Sequence, residues 1–164
     1  MKISAVRVFL VKGLVIVRVE TDAGVTGYGE CSAMNSGVIR SVVTDSLAPL
    51  LVGENPMEVE RLWEKMYVTT YKLRGQAQSI GISGVDIALW DILGKVLDTP
   101  VYQLLGGRYR ERIRMYASSV PRGLDVPQSA EKARQYIHAG FTAVKVKVGT
   151  RWGFDDLPDT AVAT

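Results

Sequence analysis

Apolar residues alternate with polar ones at the start of the chain and later recur every three to four positions, so strands precede helices. Ile3 to Val11 and Leu14 to Thr21 are β-rich, and the second run sets Val15, Val17 and Val19 against Ile16, Arg18 and Glu20. Lys12-Gly13 between them predicts a tight hairpin turn, and Asp22-Ala23-Gly24 turns the chain again into a third strand, Val25 to Glu30. The expected unit is a three-stranded antiparallel meander. Cys31 to Ser36 reads as a polar, irregular link. Beyond it Ile39, Val42, Val43, Leu47, Leu50 and Leu51 mark one helical face, with a kink expected at Pro49 and an end at Gly53. Asn55-Pro56-Met57-Glu58 predicts the next helix start, with Asn55 as cap, Pro56 at the first helical position and a buried face of Val59, Leu62, Trp63, Met66 and Tyr67.

After a polar link, Thr69 to Gln78, a long helix is expected from about Ser79 to Leu97, apolar at Ile82, Val85, Leu89, Trp90, Leu93, Val96 and Leu97. Thr99-Pro100 stops it, Val101 to Leu105 adds one turn, and Gly106-Gly107 supplies positive φ. The organisation then changes to strand, helix, strand. Arg112 to Ser118 is the first strand, a helix opened at Asp125 to Gln128 runs to His138 and closes at Gly140, and Ala143 to Gly149 is the second strand. Residues 1–107 therefore form an α+β domain. Residues 108–164 begin a parallel βαβ arrangement whose open edges one helix cannot cover, so this second domain is expected to be incomplete.

Composition narrows the function classes. Apolar residues at 47% and charged residues at 23% match a globular chain, and no apolar run is long enough for a spanning helix. The net charge of +3 is dispersed without a basic block or an aromatic-basic ladder, which argues against nucleic acid as a partner. The single cysteine, Cys31, forms no internal disulfide and fits a reducing, cytoplasmic location.

The densest chemistry lies in Val144-Lys145-Val146-Lys147-Val148. On a strand Lys145 and Lys147 share one face, about 7 Å apart, while the valines take the other. At an effective dielectric of ~20 the two ammonium groups repel by roughly 2.4 kcal/mol. That supplies about half of the fall in pKa, from ~10.4 to about 7 or 8, that a lysine general base needs. The same pattern suits an amphipathic strand with valines on a core and lysines in water. These residues alone leave both readings open.

Three further stretches change the balance. Glu20-Thr21-Asp22-Ala23-Gly24-Val25-Thr26-Gly27-Tyr28-Gly29-Glu30, then Ser83-Gly84-Val85-Asp86-Ile87-Ala88-Leu89-Trp90-Asp91 with Leu104-Leu105-Gly106-Gly107, and finally Gly140-Phe141 before Lys145-Val146-Lys147-Val148-Gly149, occur in this order at these spacings. Together they resemble the mandelate racemase and muconate lactonizing enzyme family of the enolase superfamily. The resemblance implies an N-terminal capping domain followed by the start of a TIM-type barrel. It also implies an enzyme that uses magnesium to bind a substrate carboxylate while a base removes the α-proton. Carried over, Lys147 is that base, and Lys145 lowers its pKa and neutralises the carboxylate. The family's metal ligands and opposing acid lie on later barrel strands, beyond this chain, so no metal site is assigned here. Asp155, Asp156 and Asp159 read as solvated acids.

The expected function is the N-terminal part of a sugar-acid dehydratase or racemase; the alternative is a non-catalytic truncated paralogue or capping module. Expected partners are a small carboxylate or sugar acid, and a second copy or a complementary C-terminal fragment. Tyr28, Glu30, Tyr71 and Arg74 are expected at the rim of a substrate pocket, Arg74 suiting a carboxylate. The link Cys31 to Ser36 and the Val11 to Gly13 turn match capping loops that contact substrate in the family. His138, Asp86 and Asp91 read as structural, Cys31 lacks a histidine to activate it, and Trp63 and Trp90 sit at core spacing.

Overall fold

Strands β1 (Ile3–Val11) and β2 (Leu14–Thr21) pair antiparallel, with Val11 opposite Leu14 and Val8 opposite Val17. Lys12 and Gly13 close the hairpin with φ of 50° and 86°. Two positive values in a two-residue loop make a type I′ turn, whose twist matches that of the strands. β3 (Thr26–Cys31) adds to β2, so the sheet order is β1-β2-β3. These elements belong to the first of two compact units, Met1–Arg108 and Tyr109–Thr164, in a computed structural model that describes residues 1–120 and 124–146.

One face of the sheet is apolar and buried, with Val15, Val17, Val19 and Cys31 at its centre. Against it lies the long helix α4 (Gln76–Val96), which buries Ile82, Val85, Ala88, Leu89 and Ile92. Glycines set the approach. A Cβ on Gly27 would stand 2.0 Å from the Ala88 carbonyl oxygen, one on Gly29 2.0 Å from that of Gly84, and one on Gly84 2.2 Å from Cys31 Sγ. No side chain fits at these positions.

The same helix takes two backbone groups on the outer edge of β3. Asp91 Oδ2 accepts the Tyr28 backbone N–H at 2.9 Å, Lys95 Nζ donates to the Thr26 carbonyl at 2.7 Å, and the two side chains pair at 2.6 Å. Asp91 is therefore structural, as its place inside the helix predicts. Asp86 lies half-buried on α4, and burial, then the charge of Glu60, raises its carboxyl pKa.

The remaining helices refine the expectations. The first helical stretch is α1 (Ser36–Ser41), a π-helical segment Val42–Leu47, and α2 (Ala48–Leu51). Pro49 carries no N–H and would clash with the carbonyl four residues earlier, and the widened π turns immediately precede it. The expected kink takes that form. The next helix, α3 (Val59–Thr69), starts after Glu58 rather than at Asn55. Asn55 Oδ1 instead accepts from Met57 N–H at 3.2 Å, and its carbonyl accepts from Glu58, forming a separate turn.

Val59, Leu62 and Met66 are buried, but Trp63 is 40% exposed and stacks on half-buried Tyr67 at 5.1 Å. The expected start of α4 at Ser79 also moves, to Gln76, because Gln78 is fully buried and its Nε2 donates to Thr70 Oγ1 at 2.7 Å and to the Thr70 carbonyl at 3.1 Å. Val96 and Leu97, expected on the buried face, are exposed. The unit closes with α5 (Val101–Leu104) and with positive φ at Gly106 and Gly107.

In the second unit β4 is shorter than expected, Ala117–Val120, and residues 112–116 are irregular. It pairs in parallel with β5 (Val144–Val146), and among the described residues neither strand has a second neighbour to extend its ladder. Helix α6 (Val126–His138) makes the crossover. Asp125 caps it by accepting from Gln128 N–H at 2.7 Å while the Gln128 side chain reaches back to the Asp125 N–H. Gly140 ends it at φ 94°.

Two tests follow from the first unit. Gly29→Ala should lower its stability by about 3 kcal/mol or more, because the clash is with backbone, whereas Gly37→Ala, with open space around it, should leave the urea midpoint unchanged or raise it. The second concerns acid. Hydrogen bonds from Lys65 and then Arg61 hold the Glu54 carboxyl down to about 2. A folded value below the unfolded one stabilises above the ordinary carboxylate range, and this contribution disappears as pH falls through about 2. Glu54→Gln should flatten that part of the stability profile, measured by denaturation from neutral pH down to about 2.

Candidate functional site

Alternation on β3 sends Gly27, Gly29 and Cys31 toward α4 and leaves Tyr28 and Glu30 exposed on the opposite face. Tyr28 stands across from Arg18 and Glu30 across from Ile16. The Tyr28 ring lies 5.3 Å from Lys95 Nζ, whose charge is already shared with Asp91 and the Thr26 carbonyl. Arg7 and Arg18 converge on Glu20 beside this row, so the outer face of the sheet is a charged, hydrogen-bonded surface.

Tyr71 and Arg74 come together in a single tight turn between α3 and α4, Arg74 N–H donating to the Tyr71 carbonyl at 3.4 Å. Both side chains are exposed. The Arg74 guanidinium lies 5.0 Å from the Tyr67 ring centroid, a stacking that orders the planar group while leaving its edge to bind. Thus Tyr28 pairs with Glu30 on one strand face and Tyr71 with Arg74 in one turn.

In the second unit the register Ala117 opposite Val144 is tied by the Ala117 N–H, which donates to the Ala143 carbonyl at 3.0 Å. Arg114 reinforces it, donating to Thr142 Oγ1 at 2.9 Å and to the Thr142 carbonyl at 3.0 Å. Lys145 is exposed at the centre of β5, next to half-buried Val144. Val146, expected on a covered face, is 45% exposed, because β5 has one strand neighbour among the described residues. Lys147 lies outside the described residues, as do Asp155, Asp156 and Asp159.

Other candidates are settled by their surroundings. Burial, then the charge of Glu30, pushes the Cys31 thiol up to about 11, so it is no thiolate nucleophile at neutral pH. His138 sits in the last turn of α6. Among the described residues no three His, Cys, Asp or Glu side chains converge into a metal site, and no helix is long and apolar enough to cross a membrane. The Asp91–Lys95 pair escaped the sequence reading. Its spacing of four signals a helical ion pair, but nothing in the spacing identifies β3 as the shared partner.

The fold of this chain is shared with known proteins. Residues 3–106 match the family model described as mandelate racemase / muconate lactonizing enzyme, N-terminal domain. The chain is 37% identical over 155 residues to a D-galactonate dehydratase family member of Marinomonas sp., covering 91% of this chain and 38% of that protein. It matches a D-mannonate dehydratase of Novosphingobium aromaticivorans with the same identity and coverage. Among solved structures, an enolase from Pantoea ananatis with bound D-gluconate and Mg superposes with a TM-score of 0.80 at 31% identity, over 89% of this chain and 36% of that one. An enolase superfamily member from Salmonella Typhimurium gives 0.82 at 34%, over 90% and 42%. The chain spans about two fifths of the length of the curated relatives it matches. It carries the antiparallel meander and helices of a capping domain, then the first parallel strand pair, and it belongs to the mandelate racemase / muconate lactonizing enzyme family.

Proposed function

We propose that this chain is the N-terminal part of an enzyme that removes the α-proton of a sugar acid, leading to dehydration or racemisation. The observation carrying this reading is the likeness to sugar-acid dehydratases over 91% of the chain. Residues 1–107 act as the capping domain and residues 108–164 begin the barrel. Lys147 is the base. Lys145 stands two residues before it, and its positive charge favours a neutral amine on Lys147 and attracts the substrate carboxylate. Tyr28, Glu30, Tyr71 and Arg74 are the capping domain's candidates for contact with substrate.

The enzyme uses a divalent metal, by analogy with the relative whose structure contains Mg and D-gluconate. The described residues do not form that metal's site. The cytoplasm suits a chain whose single cysteine is buried and free.

Incubation in D2O with D-gluconate or D-mannonate and magnesium, followed by proton NMR at the α-carbon, tests the assignment. The 164-residue chain alone is expected to exchange no α-proton. Supplied with the remaining barrel strands of a dehydratase relative, it should catalyse exchange. Lys147→Ala should then reduce exchange by ~10²–10⁴-fold, the usual worth of a general base, with an unchanged circular dichroism spectrum. Full exchange in Lys147→Ala removes the base assignment. Absence of exchange in the complemented wild type favours a non-catalytic capping module.

A further inference from the structure

From Tyr71 to Gln76 every residue is exposed, so no buried side chain within the turn that carries Tyr71 and Arg74 fixes its shape. That shape is held from its two flanks. Thr70 before the turn and Gln78 after it are both buried, and they are joined side chain to side chain.

Gln78 Nε2 meets three acceptors at the end of α3: Thr70 Oγ1 at 2.7 Å, the Thr70 carbonyl at 3.1 Å and the Tyr67 carbonyl at 3.2 Å. The Thr70 carbonyl also accepts the Leu73 N–H at 2.8 Å, the bond that closes the turn, and Thr70 Oγ1 donates to the Met66 carbonyl at 2.7 Å. Carbonyls in the last turn of a helix have no N–H of a following turn to meet, and the Gln78 amide takes that place for Tyr67. The arrangement carries a cost. Gln78 is fully buried, yet its Oε1 accepts no hydrogen bond among the described residues. An apolar side chain would join the two helices without that penalty. What the amide adds is geometry, because its hydrogen bonds have direction and hydrophobic contact has none.

That geometry reaches Arg74 by two routes. Through Thr70 it sets the backbone of the turn. Through Tyr67 it sets the residue whose ring centroid lies 5.0 Å from the Arg74 guanidinium, a ring on which Trp63 also stacks at 5.1 Å. Among the described residues no acid pairs with Arg74, so its planar fork stays open to a carboxylate from outside. We infer that Gln78 is a positioning residue for substrate recognition: by fastening Tyr67 and Thr70 it aims Arg74 at a substrate carboxylate. The inference rests on the proposal that Arg74 meets substrate. Gln78 itself acts only through these two residues.

Nuclear magnetic resonance of the 164-residue chain gives the first test. Arg74 protons beside the Tyr67 ring are shifted upfield by its ring current, and Tyr67→Leu identifies them by abolishing the shift. Gln78→Met keeps the side-chain length and removes the donor. It should cancel most of the Arg74 ring shift while the methyl resonances of Val17 and Leu89 in the core keep their positions. Thr70→Val, which loses only Oγ1, decides the matter if Gln78→Met fails to fold. The second test uses the chain supplied with the barrel strands of a dehydratase relative. Gln78→Met and Arg74→Ala should each raise KM for α-proton exchange of D-gluconate roughly tenfold. The double variant should raise it no further than Arg74→Ala alone, and kcat of Gln78→Met should stay within about twofold of the wild type. A bridge that only stabilises the fold would leave KM unchanged or add its effect to that of Arg74→Ala.

The inference is overturned by a ring shift that survives both Gln78→Met and Thr70→Val, by core methyls that move along with it, or by a KM that rises in Arg74→Ala and not in Gln78→Met. No exchange in the complemented wild type, or an unchanged KM in Arg74→Ala, removes the reading beneath the inference and the inference with it. A ring shift still lost in Gln78→Met on the chain alone marks that failure as one of the substrate reading and not of the Gln78 bridge.

Discussion

The first unit depends on one close approach, that of the α4 backbone to the β3 backbone. Gly27 and Gly29 bring no side chain, so the carbonyls of Ala88 and Gly84 occupy the space a Cβ would take. The other partners of the contact follow from it. Val15, Val17 and Val19 reach α4 because β3 beside them lies so close to it, and each fully buried aliphatic side chain contributes about 1.5–3 kcal/mol. The same proximity places Asp91 and Lys95 within reach of Tyr28 and Thr26, so packing and edge protection are two results of one distance.

Elements governed by local chemistry were readable from the residues. Lys12-Gly13 admits little but a two-residue turn, the alternation in Leu14–Thr21 assigns its buried face, and Asp125 with Gln128 announces the start of α6. Readings failed where a tertiary partner outbid the local signal. Asn55 has the residues of a helix cap but spends its side chain on a preceding turn. Trp63 has core spacing but stacks on Tyr67 at the surface, and Gln78, polar and placed in a link by its neighbours, is buried because Thr70 receives its amide. The charged face of β3 shows the same division. That Tyr28 and Glu30 share a side of the strand is a matter of alternation, whereas the capture of the Tyr28 N–H by Asp91 spans 63 positions and leaves no local trace.

In the second unit, the anchoring contacts lie just ahead of Lys145. Arg114 and the Ala117 N–H hold Thr142 and Ala143 at the entry to β5, so the strand is anchored just before Lys145. Lys145 itself is exposed, so the anchor sets where its backbone stands. On the first unit, Arg74 is directed by a ring and, among the described residues, by no acid, which holds the guanidinium plane without neutralising it.

The glycine contact also bears on synthesis at the ribosome. Gly29 and Gly84 are separated by 55 positions, so the meander emerges long before the helix that covers it. Until α4 has left the exit tunnel, Val15, Val17 and Val19 lack the long helix that covers them. Local hairpin closure precedes stability, and the first unit acquires its native free energy only when about its last quarter has been translated, an order that high sequence separation imposes on any such fold. The nascent chain therefore passes through a long interval in which its most β-prone segment is bare, the interval in which chaperone binding would matter most.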